Sequence, residues 1–115
     1  MFKTFARFIA PPGMPAPVLW GDERTVTERF GSGVSHLRLA RVAYQFDYPF
    51  GPADVVDFFR ENYGPTTRAF GALGEAEREA LRAELVHLWT SHSTSSDPNR
   101  TIVDSEYLEV VGVRV

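Results

Sequence analysis

A chain of 115 residues with 43% hydrophobic and 13% aromatic content has the make-up of a single soluble domain, 1–115, long enough to bury a core. Its net charge of -3, with twelve Lys and Arg scattered along the chain, argues against nucleic acid as a partner. The lack of cysteine excludes a disulfide framework and a thiolate nucleophile, and no run has signal-peptide or membrane-spanning character, so no membrane association and a cytoplasmic location are expected.

Phe2, Phe5, Ala6 and Ile9 recur at helical spacing and predict a short amphipathic helix over residues 2–9, stopped by Pro11 and Pro12. The following PPGMPAP reads as an extended connector that delivers Val18, Leu19 and Trp20. Asp22 is a good N-cap for a helix from Glu23 to Phe30, burying Val26 and Phe30 and closed by Gly31. Residues 35–48 form the longest strand-like run. Leu37 and Leu39 alternate on one parity and Val42, Tyr44, Phe46 and Tyr48 on the other, so one extra residue, a β-bulge, is expected near Ala40 and Arg41.

Pro52 begins a helix with Val55, Val56, Phe59 and Tyr63 inside, and Gly64 and Pro65 break it. A further segment, residues 65–72, precedes the longest helix, about 75–91, which turns Leu81, Leu85, Leu88 and Trp89 inward. After the polar loop 93–100 comes a last strand, about 106–115. The predicted fold class is α+β: an antiparallel strand pair, 35–48 with 106–115, packed with four to five helices. Two strands do not make a stable sheet in water, so helices must cover them.

Chemistry-bearing clusters are few. His87 and His92 are five apart, which places them on different sides of a helix, and Glu84 with His87 lacks the further ligands of a carboxylate-bridged metal site. Ser91, His92, Ser93 and Asp97 have the residue types of a hydrolase triad without a nucleophile turn, and the glycines form no phosphate or dinucleotide loop. No catalytic residue, metal ligand or cofactor contact is therefore assigned. Trp20 and Tyr63 both sit where the backbone is irregular, a position suited either to core packing or to lining a pocket.

The words PPGMPAPVLWGDERTV, RVAYQFDYP, VDFFRENYGPTTRAF and SEYLEVVGVRV, in that order, resemble the C-terminal half of bacterial S-adenosylmethionine-dependent methyltransferases of the ubiquinone/menaquinone-biosynthesis-like group. The resemblance implies the C-terminal portion of a Rossmann-like fold, without the front half that binds S-adenosylmethionine. It implies a substrate-side role for Trp20, Tyr63, Gly64, Pro65 and Thr66 toward a small molecule, and no catalysis by the chain alone. It also leaves Tyr107 to Val115 as an open edge, expected to recruit a second polypeptide or a copy of the chain. The alternative is a non-enzymatic interaction module that self-associates through that edge.

Overall fold

A computed structural model describes residues 1–9, 13 and 17–115, so most of the expected connector lies outside the described residues. The first helix, α1, spans Phe2–Ala6, shorter than its apolar spacing suggests, and turns carry the chain on to Ile9, with Phe8 N and Ile9 N both donating to Phe5 O. Helix α2, Glu23–Phe30, starts as its sequence predicts: Asp22 accepts from Thr25 N at 2.9 Å, and Gly31 closes the helix at φ 45. Val26 is fully buried, but Phe30 stays 38% exposed and is no core residue.

The strands are β1, Val34–Tyr48, and β2, Thr101–Arg114, which pair with each other in one two-stranded antiparallel sheet. β2 begins five residues earlier than its alternation indicates. Between them run α3 (Pro52–Asn62), α4 (Gly64–Gly71) and α5 (Glu75–His92). Among the described residues the architecture is thus α+β with five α-helices. No helix among the described residues is long and apolar enough to cross a membrane.

β1 carries one residue more than β2 across the ladder. Val115 N donates to Gly33 O, odd number against odd, whereas the cross-strand pairs Arg38–Glu109, Arg41–Glu106 and Gln45–Asp104 set an even number against an odd one. β2 keeps its alternation from Ile102, bonded away from β1, to Val115, bonded toward it, so the extra residue lies on β1. The extra residue lies nearer the start of β1 than Ala40. A Cβ on Gly112 would meet both Val34 Cγ1 at 3.1 Å and Leu37 Cδ1 at 3.6 Å, side chains that an unbroken pleat would put on opposite faces. The bulge is therefore at Ser35–His36, and Ser35 Oγ donates to Val113 O opposite it.

The chain forms two compact units, each holding a stretch of both strands: Met1–Pro12 with Gln45–Asp104, and Gly13–Tyr44 with Ser105–Val115. In the first, Val55, Val56, Ala69, Phe70, Leu73, Leu81, Leu85 and Trp89 make the core, with Phe46, Tyr48 and Val103 of the strands packed on it. Arg82 locks α5 to α3 through a two-pronged pair with Asp57, both bonds 3.0 Å. Thr101, wholly buried, donates to Phe50 O at 2.9 Å and draws the start of β2 against the turn before α3.

That turn leaves no space for a side chain at Gly51, whose Cβ would lie 2.6 Å from Pro98 O. The obstacle is backbone and cannot rotate away. Gly51→Ala is expected to destabilise the first unit by about 1–3 kcal/mol, the usual cost of overpacking, read as a lower urea midpoint with an unchanged slope.

Candidate functional site

The joint between α3 and α4 is built by sequence and fixed by one side chain. Pro65 cannot continue the preceding turn, so α3 ends at Asn62, and Tyr63 is extended at φ -112 and ψ 113. Thr67 then ties the two helices: its Oγ1 donates to Arg60 O at 2.6 Å and contacts Tyr63 O at 3.1 Å, while its N–H bonds Tyr63 O at 2.9 Å. Thr67 is the fourth residue of α4, and its hydroxyl bonds back to earlier carbonyls rather than capping the helix start.

Tyr63 stands at the margin of an aromatic wall. Its ring meets Phe59 edge-on at 5.5 Å, and Phe59 in turn lies 5.4 Å from Trp89. Tyr48, at the end of β1, joins Phe46, Phe50, Phe58, Phe59 and Trp89 with centroids between 5.4 and 6.3 Å. Such edge-to-face and offset contacts add to the burial of each ring. Trp89 is interior and its indole N–H has no hydrogen-bond partner, whereas Tyr63 and Phe58 present 39% and 45% of their surface to solvent.

The other expected substrate-side residues fall in different surroundings. Gly64 and Pro65 are exposed at the joint, but Thr66 is completely enclosed in the helical core with its Oγ1 unpaired. Trp20 belongs to the second unit, on a 3-10 turn spanning Pro17–Gly21. It is 54% exposed, and the Arg29 guanidinium lies 4.4 Å over its ring.

Two clefts of the helical unit are lined by none of these residues. One, of about 580 Å³, lies against α1 and α5 and is lined by Arg7, Glu84, His87, Ser91 and His92 among others. Here Arg7 pairs with Glu84, Ser91 Oγ donates to His87 O, and His92 Nδ1 lies 2.9 Å from Leu88 O. Arg7, Glu84, Ser91 and His92 are engaged locally, and no group of three or more metal-ligating side chains gathers among the described residues. The second cleft, about 340 Å³, is a charged helix surface with Arg60, Arg78 and Arg82 beside Glu75 and Glu79.

The carboxylates with displaced ionisation serve structure. Hydrogen bonds from the Arg100 guanidinium hold Asp47 below its ordinary range, Thr25 does the same for Asp22, and Arg82 for Asp57. Apolar and stacking contact is accordingly what the aromatic wall offers a ligand.

No family model matches the chain, and no solved structure matches it. Uncharacterized proteins of Mycobacterium tuberculosis and Mycobacterium bovis are each 40% identical to it over 73 residues, 63% of this chain and 26% of theirs. A second uncharacterized protein of Mycobacterium tuberculosis is 31% identical over 80 residues, 68% of this chain and 29% of its own length. The matched stretch thus spans little more than a quarter of these curated relatives.

The Asp57–Arg82 pair carries a pH signature. A carboxyl whose folded pKa is depressed stabilises the fold above its unfolded pKa, and that contribution disappears as pH falls through the folded value. Asp57→Asn is expected to melt lower than the unaltered chain at neutral pH and to approach it by about pH 2, in thermal scans followed by circular dichroism. The difference is small because both groups are over two-fifths exposed.

Proposed function

We propose that the chain is the substrate-capping portion of an S-adenosylmethionine-dependent methyltransferase, acting in the cytoplasm and not catalytic by itself. The observation that carries this reading is the match to relatives of which the matched stretch forms only 26–29%, so that they are long enough to hold a further half. It is supported by the half-exposed Tyr63 at a rigid helix joint beside an aromatic wall, a surface suited to holding a flat apolar methyl acceptor. Gly64 and Pro65 supply the bare backbone of the joint, and Trp20, in the other unit, is an exposed ring whose substrate-side role stands by itself. Thr66, being enclosed, supports the joint from beneath. S-adenosylmethionine would be held by a second polypeptide or a preceding half, not by these residues.

The test is calorimetric titration of S-adenosylmethionine into the isolated chain and into the full-length Mycobacterium tuberculosis relative with 40% identity. The relative is expected to bind it one to one and the isolated chain to give no heat of binding. Absence of binding by the relative overturns the reading, as does micromolar binding by the isolated chain.

A second reading, a non-enzymatic module that assembles through β2, is favoured by a separate observation. On the side of β2 away from β1, the segment at Ser93–Thr94 covers Ile102 and bridges to Val103, and no strand follows beyond it among the described residues.

A further inference from the structure

We infer that the open side of β2 pairs with β2 of a second copy, antiparallel and centred on Val110, with Glu106 of each copy facing Arg114 of the other. This deepens the second reading above and rests on it.

The direction of the backbone groups fixes which residues can take part. Ile102 turns both its N–H and its C=O toward the Ser93–Thr94 segment, at 3.1 Å to Ser93 Oγ and 2.7 Å from Thr94 N. Val115 N points the other way, to Gly33 O on the β1 side. Alternate residues of a strand direct their backbone groups to the same side, so from Asp104 on it is the even-numbered residues, through Arg114, that face outward. The bulge belongs to β1, and β2 keeps this alternation to its end.

A two-fold antiparallel pairing must set outward residue against outward residue, which leaves few registers. Centring on Glu109 puts two copies of that carboxylate opposite each other, and like charges directly opposed are destabilising. Centring on Val111 sets Arg114 against Leu108 with no charge partner. Centring on Val110 sets Glu106 against Arg114 twice, by symmetry, and Leu108 against Gly112. It also sets Tyr107 against Val113 and Glu109 against Val111, all on the other face.

The burial of these side chains fits that register. Tyr107, Val111 and Val113 are 49%, 44% and 54% exposed, an apolar row on one face that cross-strand partners would cover. Glu106 keeps 57% of its side chain exposed while touching Arg41 at 3.5 Å, and a carboxylate has room for a second guanidinium. Arg114 is exposed. β2 lacks proline and lysine, the residues that commonly blunt an open edge.

Sedimentation equilibrium of the full chain and three variants separates the possibilities, with far-ultraviolet circular dichroism confirming that each variant folds. The unaltered chain is expected to dimerise. Glu106→Arg and Arg114→Glu each replace two attractive pairs by two repulsive ones and are expected to weaken the dimer by roughly tenfold or more. Mixing the two variants restores attraction at both ends, so a heterodimer should form, and the double variant E106R/R114E should dimerise like the unaltered chain. A chain monomeric at every concentration overturns both this inference and the self-associating reading. A dimer indifferent to the single reversals, or one that the mixture and the double variant fail to restore, overturns the inference and leaves that reading standing.

Discussion

The antiparallel ladder has two strands among the described residues, too little surface to hold itself in water, and the structure depends on how that ladder is covered. Along Gln45–Asp104 the cover is α3, α4 and α5, which place Leu81, Leu85, Val55 and Val56 out of solvent and bring Trp89 against Phe46 and Tyr48. The aromatic rings do two jobs there. They seal the strand ends to the helices, and by running out to Phe58 and Tyr63 they carry the apolar interior to the surface. The same contacts that make the fold possible therefore also leave aromatic surface exposed at Phe58 and Tyr63.

Much of this was legible in the sequence wherever a local rule decided the outcome. Asp22 and Gly31 bound α2, Gly64 and Pro65 break α3, and Pro52 begins it, because caps and breakers act within a turn of where they stand. The pairing of the two long apolar runs was equally readable. Long-range packing was less so. The exposure of Phe30 and the enclosure of Thr66 depend on which element lies overhead, and no local pattern encodes that. The early start of β2 has the same origin: Thr101 is drawn into the sheet by its bond to Phe50 O, a residue distant in sequence.

The candidate site was legible only in part. An aromatic before a Gly-Pro break marks Tyr63 as a joint residue, and the structure puts its ring at the edge of the wall. The rings that give it a surrounding, Phe59, Trp89 and Tyr48, read in sequence simply as the inner stripes of helices and a strand. Thr67 went unnoticed because its hydroxyl acts on carbonyls of the preceding helix, a contact that exists only once the chain has turned.

The displaced bulge bears on how this ladder tolerates change over generations. In a plain hairpin, losing or gaining one residue transfers every following side chain to the wrong face, so such events are purged. Here the surplus residue at Ser35–His36 sits close to one end of β1, upstream of the paired stretch that meets the helical core. Its deletion would straighten the pleat and reorient only Val34 and the few residues before it, while Leu37 to Tyr48 kept their partners. The lineage of this chain thus has a place to shed or acquire length in its longest strand without disturbing the rings at the other end.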